Sequence, residues 1–381
     1  MATYIVLLLL CKLFLPNTAY RYVLLVLNFA FVFIAFPYKY AILLFILYSY
    51  FITYVFHQYI KIKQKFPVVL LLIAPLFFIK LGDSPYTIHI EFIHVLYFAG
   101  ISFVTFRSVS YWMDKNPNEQ MAHPVSYFNY LSFTPTLLIG PIDRFSNYVL
   151  SEKNGFTNIN TDNFIAGWNY FIKGLVFKYL LAEGIERYWL SLFDYFDPHL
   201  IAMVNTMYAY YFYLFFDFAG YSFMAMGISK MMGVEVPLNF KNPFVAKNPQ
   251  EFWESFHIAL GNWLREYFFK PINLFLGRKK SLKRYPLMRQ NAALFFTFLL
   301  MGCWNGLEKH YILSGALFGI YSLAHNTYKS QCKKMGKDVV FGNINTTVVN
   351  VISMFIMFNL VALAMYVFSG RYPHSISFHL F

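Results

Sequence analysis

Apolar residues run along this chain in long blocks separated by short polar or basic stretches. Few blocks carry the polar face that a water-exposed helix needs. A bilayer core takes about 20 apolar residues per helix. The blocks at 20–36, 40–57, 66–81, 91–106, 164–182, 200–217 and 345–369 are clear candidates. Those at 1–15, 128–142, 220–233, 258–276, 291–304 and 310–327 are less regular. The pattern predicts an all-α polytopic membrane protein with roughly ten or eleven membrane helices, some of them re-entrant or tilted. Tyr and Trp lie near many block ends, as in an interfacial aromatic belt. No linker, repeat or low-complexity run divides the chain, so residues 1–381 read as one domain. The first block begins at Met1 with no basic n-region and no small-residue cleavage pattern, and reads as a retained membrane segment.

Composition strengthens this picture. The chain is 58% hydrophobic and 22% aromatic but only 13% charged, against about 25% in ordinary soluble domains. That is too little charge to cover a water-facing surface. The net charge of +13 would point to nucleic acid in a soluble protein. Here the basic residues sit in short runs between apolar blocks, which fits the positive-inside bias and contact with anionic membrane lipids, and no nucleic acid is implied. One run is Lys61, Lys63 and Lys65; a second is Arg278, Lys279, Lys280, Lys283, Arg284 and Arg289; a third is Lys329, Lys333, Lys334 and Lys337. Placing all three in the cytoplasm makes the segment 291–327 leave and return, turning near Trp304, Asn305, Gly306 and His310. It also puts the tail, with His374 and His379, outside.

Several blocks are broken at Thr134–Pro135, at Gly140–Pro141 ahead of Asp143 and Arg144, and from Pro237 to Pro249. Non-helical backbone at membrane depth is tolerated only where protein or a water-filled cavity satisfies it, so an internal cavity or funnel is expected. Ionisable residues at that depth are costly and default to functional candidates. They concentrate in PTLLIGPIDR (Pro135–Arg144), in YYFYLFFDFAG (Tyr210–Gly220, with Asp217) and in the stretch Asn239–Ile272. In the last, Pro249 and Gln250 open an amphipathic helix on which Phe252, Trp253, Phe256, Leu260 and Trp263 recur at helical spacing. That spacing puts His257 on the face of Trp253, with Arg265 and Glu266 further on. Cys11, Cys303 and Cys332 suggest neither a disulfide framework nor a zinc site. His57, His89, His94 and His123 show no ligand spacing, and His325 reads as a headgroup-level residue ahead of a basic loop.

The stretch Tyr210–Ile272 resembles the membrane-bound O-acyltransferase family, and within it the branch that adds D-alanyl groups to teichoic acid. GPIDR at Gly140–Arg144, LFFDFAGYS at Leu214–Ser222 and NFKNPF at Asn239–Phe244 match that branch. EFWESFH at Glu251–His257 is similar to the family's FWxRWH, with Ser255 and Phe256 in place of Arg and Trp. MGCWNGLEKHYIL at Met301–Leu313 is similar to its G-x-W-H-G-x-x-x-x-Y-I. The similarity covers roughly residues 90–320, and the motifs are specific as a set.

The resemblance implies a ring of tilted helices around a central funnel or tunnel in the cytoplasmic membrane. It implies an acyl donor held as a thioester on a small acidic carrier protein at the cytoplasmic face. The acceptor would be a hydroxyl of an extracytoplasmic glycan or teichoic acid, activated by a histidine, with no metal or organic cofactor. A positioned base near neutrality is what an alcohol nucleophile needs.

The sequence departs from the family at the tryptophan–histidine–glycine triplet, which here reads Trp304–Asn305–Gly306. Asparagine cannot serve as a base near neutral pH. A further family histidine, after the Tyr–Ile element, is replaced by Phe318. Three readings follow. His257 is the base and Asn305 orients the acyl carbonyl; His310 substitutes for the missing histidine; or the chain binds an acyl chain, lipid or protein partner without transferring anything. Trp253, Trp304, Asp217, Arg144 and Arg265 are the supporting candidates, Asp217 and Arg144 chiefly as members of structural pairs.

Overall fold

A computed structural model describes residues 2–36, 39–60, 65–82, 100–116, 118–192, 199–336 and 346–372. Among these residues every regular element is helical. Asn17–Ala35, Tyr40–Gln58 and Thr346–Ser369 are long and apolar enough to cross a membrane; Thr3–Phe14 and Phe66–Leu81 are shorter apolar helices. These five coincide with the expected blocks at 20–36, 40–57, 345–369, 1–15 and 66–81. The start of the 91–106 block, Lys61, Lys63, Lys337, His89, His94, His374 and His379 lie outside the described residues.

The chain forms two compact units, Met1–Leu175 with Gly220–Leu238, and Val176–Ala219 with Asn239–Phe381. The first contains α1 (Ala2–Phe14), α2 (Tyr20–Ala35), α3 (Lys39–Val55), α4 (Phe66–Gly82), α5 (Ile101–Asp114), α6 (Pro124–Ser132), α7 (Phe145–Asn158) and α8 (Thr161–Leu175). The 128–142 block is not one helix. α6 stops at Ser132, and a 3-10 turn at Thr134–Thr136 leads into non-helical backbone as far as Arg144. Pro135 lacks the N–H that a continuing helix would need.

What holds this broken backbone is Arg107, on α5 and 2% exposed. Its Nη1 donates to the carbonyls of Tyr130 (3.1 Å) and Leu131 (3.3 Å), and its Nη2 to the carbonyl of Thr136 (2.6 Å). A guanidinium supplies several donors in a fixed fork, so one side chain satisfies the carbonyls that the helix end leaves open. Beside it, Asn28 Oδ1 accepts from the Thr134 N–H (3.2 Å) and hydroxyl (2.9 Å), and Asn129 donates to buried Glu152 at 3.1 Å.

α8 meets the C-terminal part of α10 (Leu200–Met231) through glycines. A Cβ on Gly167 would lie 2.7 Å from the Gly227 carbonyl, and one on Gly174 2.6 Å from the Gly220 carbonyl. Small residues of this kind let membrane helices approach backbone to backbone. α10 also joins two expected spans: 200–217 and 220–233 are a single helix of 32 residues. Gly220 between them does not break it, since a lone helical glycine costs only about 1 kcal/mol.

The second unit adds α9 (Glu183–Tyr188), α11 (Pro249–Trp253), α12 (Ile258–Leu264), α13 (Lys270–Arg278), α14 (Lys280–Lys283), α15 (Pro286–Asn305), α16 (Lys309–Lys334) and α17 (Thr346–Ser369). A π-helical turn, Arg265–Phe269, links α12 to α13. α15 and α16 are an antiparallel pair whose turn falls at Gly306–Glu308, where the sequence placed it. A Cβ on Gly302 would stand 2.4 Å from the Tyr311 carbonyl, and one on Gly315 2.6 Å from that of Phe298. α17 is tied to α16 where the Ser314 hydroxyl donates to the Ala364 carbonyl at 2.9 Å.

Candidate active site

The periodic pattern from Pro249 to Trp263 predicts one helix, but the structure breaks it. α11 ends at Trp253, residues 254–257 turn, and α12 starts at Ile258. The reason lies in the segment 239–241. The Lys241 N–H donates to the Ser255 carbonyl at 2.9 Å, the Ile258 N–H to the Asn239 carbonyl at 2.9 Å, and the Ala259 N–H to Asn239 Oδ1 at 3.1 Å. These bonds take backbone groups that a continuous helix would use. His257 stands at the break in the left-handed conformation (φ 48°, ψ 49°), the sole non-glycine with positive φ among the described residues. Such a conformation costs on the order of 1–3 kcal/mol and gathers at functional sites. His257 therefore does not share a helical face with Trp253.

The break puts the imidazole in an aromatic pocket, 5% exposed. The Phe218 ring stands edge-on to it at 4.6 Å between centroids, Phe240 is parallel at 6.3 Å, and Trp304 lies at 6.3 Å. Nδ1 is 3.2 Å from Asn239 Oδ1. Asn239 is wholly buried, and the Ala259 N–H fixes which end of its amide is oxygen. An amide oxygen only accepts, so Nδ1 carries the proton. In the neutral ring Nε2 is then the bare, basic nitrogen. Nε2 is buried with no hydrogen-bond partner among the described residues, an arrangement that usually costs about 1–3 kcal/mol. The arrangement leaves one ring nitrogen free to accept a hydrogen bond from whatever enters the pocket.

Trp304, at the end of α15, is the residue of the departed triplet that reaches His257. Asn305 turns its amide back on its own helix, donating to the Met301 carbonyl at 2.9 Å. His310 lies on α16 against the ring of Tyr311, 4.0 Å between centroids, and is half-buried. Asp217 is ion-paired with Lys178. Arg144 is exposed in the first unit, its backbone N–H donating to Asp143 Oδ1 at 2.8 Å. Phe318 is 2% exposed, stacked on Phe252 and edge-on to Trp253.

Next to this pocket is a cavity of about 630 Å³ whose wall includes Trp253, Ile258, Gly261 and Met301. Lys241, Arg265 and Lys329 give it exposed cations, and Glu254 one carboxylate. Arg265 also donates to Asn262 at 3.0 Å. Ile258 adjoins His257 in sequence, and Met301 holds Asn305, so the cavity wall is made of the same elements as the histidine pocket.

The model of the membrane-bound O-acyltransferase family matches residues 68–368. The chain belongs to that family. Among its relatives, the teichoic acid D-alanyltransferase of Bacillus subtilis is 32% identical over 312 residues, 79% of this chain and 76% of the relative. The probable alginate O-acetylase AlgI of Pseudomonas aeruginosa is 34% identical over 230 residues, 60% of this chain and 42% of the relative. The peptidoglycan O-acetyltransferase of Helicobacter pylori is 28% identical over 312 residues, 74% and 56%. Four of the five family stretches quoted from the sequence thus meet at His257: Phe218 comes from LFFDFAGYS, Asn239 and Phe240 from NFKNPF, His257 itself from EFWESFH and Trp304 from the last. Asn239 and Lys178 in the second unit, and Arg107 in the first, were given no individual role in the sequence reading. Each acts on a partner 18 to 39 positions away. Two of them left a signal, Asn239 as the first residue of the matched NFKNPF and Arg107 as a cation inside the apolar run ISFVTFRSVSYW.

Proposed function

We propose that this chain is an O-acyltransferase of the cytoplasmic membrane that moves an acyl group, D-alanyl being the first candidate, from a cytoplasmic thioester to a hydroxyl of an extracytoplasmic glycan or teichoic acid. The observation that carries the proposal is His257, with Nδ1–H held by Asn239 and Nε2 bare in an aromatic pocket. Its named relatives act on teichoic acid, alginate and peptidoglycan, which supports a polymeric acceptor. In this reading Nε2 takes the proton of the acceptor hydroxyl as its oxygen attacks the thioester carbonyl. The C–S bond then breaks and the departing thiolate recovers that proton from the imidazolium. A base of this kind contributes about 10²–10⁴-fold. Asn305 and Trp304 shape the acyl end of the site. The 630 Å³ cavity receives the thioester arm, and its cations face an acidic carrier protein. A central passage through the membrane, as the family resemblance implies, belongs to the same proposal.

Asn305 favours one rival, a family member that binds an acyl chain or partner without transferring it. Membrane vesicles holding the chain are supplied with labelled acyl-carrier thioester and candidate acceptors. Transfer by the wild type that disappears in His257→Ala and survives in His310→Ala is the expected outcome. A silent wild type that gains activity only as Asn305→His would establish the rival.

A further inference from the structure

The outer side of the α15–α16 pair carries a second recess, of about 510 Å³, bounded by Met288, Ala292, Phe295, Phe296 and Leu323. Its surroundings follow a chemical order. At one end, just before α15 begins, stand Lys283 and Arg284, both exposed and with no acidic partner among the described residues. About one turn inside the helix comes a polar cluster: Asn291 donates to the Thr327 hydroxyl at 2.9 Å, and Asn326 donates to Asn291 Oδ1 at 2.6 Å. Asn291 and Thr327 line the recess. Leu287 and Met288 line it on the cation side of the cluster, and beyond the cluster it is apolar as far as Phe295 and Phe296. From Leu287 to Phe296 the helix rises about 14 Å, the reach of a half-extended acyl chain.

Cation, amide cluster and apolar trench follow each other as phosphate, glycerol ester and acyl chain do in a phospholipid. The neighbouring surface agrees. Leu274 (67% exposed) and Phe275 (59%) on α13, and Tyr285 (60%) before α15, flank the basic run 278–284, with Lys279 Nζ 5.2 Å from the centre of the Phe275 ring. Apolar side chains beside Lys and Arg mark a membrane interface; an acidic protein partner would leave the trench empty. We propose that this recess is a binding site for one anionic phospholipid, its phosphate on Lys283 and Arg284 and one acyl chain between α15 and α16. A zwitterionic headgroup would bring its own cation up to the lysine and arginine.

The full chain is reconstituted in nanodiscs containing a trace of phosphatidylglycerol or phosphatidylcholine with a photoactivatable acyl chain, and the label is mapped by peptide sequencing. Phosphatidylglycerol should label the α15 peptide bearing Phe295 and Phe296 about 25-fold more than phosphatidylcholine, since each of the two surface cations changes attraction to an anionic headgroup roughly fivefold. The double variant Lys283→Gln/Arg284→Gln alters only exposed side chains and should bring the two lipids to parity. Ala292→Trp should reduce labelling by both. Equal labelling of the wild type, or a preference that survives the double variant, overturns the site. So does labelling that lands away from α15 and α16. Loss of acidic carrier-protein binding in the double variant, with lipid preference unchanged, would assign the basic surface to a protein instead.

Discussion

The Nδ1 atom of His257 lies 3.2 Å from Oδ1 of Asn239, and this contact decides which ring nitrogen is free to take a proton. The same oxygen accepts the Ala259 N–H at 3.1 Å, so the amide cannot turn without losing a backbone bond. The lock depends on the break in the helix. On a continuous helix through 253–263 the Ala259 N–H would bond four residues back, and His257 would lack the left-handed turn that brings its ring to Asn239.

Asn239→Ala removes the acceptor and lets the ring exchange tautomers. Transfer should fall about 10–100-fold in kcat, at the low end of what a general base supplies, with the donor KM little changed. Asn239→Asp keeps an acceptor for both donors and should recover most of the rate. Its negative charge favours protonated imidazole, so the pH profile of kcat should move toward higher pH. An Asn239→Asp enzyme as slow as Asn239→Ala, or with an unmoved profile, would leave Asn239 a purely structural residue.

The cavity beside the histidine pocket makes a second prediction. A Cβ on Gly261 would meet only the Trp253 carbonyl, at 3.5 Å, an ordinary contact. Gly261→Leu can therefore fill the cavity without displacing the wall. Kinetics in vesicles should show the KM for the thioester donor rising about tenfold and the melting temperature in detergent holding steady. An unchanged donor KM would remove the cavity from the donor's path.

The helical class was legible because long apolar blocks have few other solutions in a bilayer, and the turn after Asn305 was legible from Gly306 and the polar residues around it. The break at His257 was not. Its apolar spacing runs on through Phe256, Leu260 and Trp263 as if one helix continued, and what stops it is a segment ending 16 residues earlier, at Lys241. Periodicity reports a face, not competition for backbone hydrogen bonds. The partner of Asp217 was hidden for the same reason: Lys178 is adjacent only after α10 folds back. Gly220 looked like a boundary between two spans because its packing against Gly174 is invisible in one dimension.

Arg107 offers a stability test in the first unit. Arg107→Met keeps length and apolar bulk but strands the carbonyls of Tyr130, Leu131 and Thr136. Hydrogen bonds to a charged donor contribute about 1.5–3 kcal/mol, so the loss should be at least about 3 kcal/mol and appear as a lower melting temperature in detergent. Arg107→Lys should rescue little, because an ammonium lacks the planar fork that spans separate acceptors. Full rescue by lysine would mean that charge alone holds the Pro135–Arg144 segment.

The α15–α16 crossing links packing to chemistry. Gly302 and Gly315 face each other there, and a Cβ on either would stand within 2.6 Å of the opposite backbone. Backbone cannot yield as a flexible side chain can, so the helices must separate, and overpacking of this kind costs about 1–3 kcal/mol. Gly302 is two residues before Trp304, which sits 6.3 Å from His257. Gly302→Val should therefore reduce transfer more than its stability loss explains, by about tenfold at a temperature where the protein remains folded. Gly319→Ala, one turn further along α16, meets the edge of the Phe295 ring at 3.0 Å and the Phe295 Cα only at an ordinary 3.4 Å, and should leave transfer within about twofold of wild type. Parallel rates for the two variants would separate the crossing from the placement of Trp304.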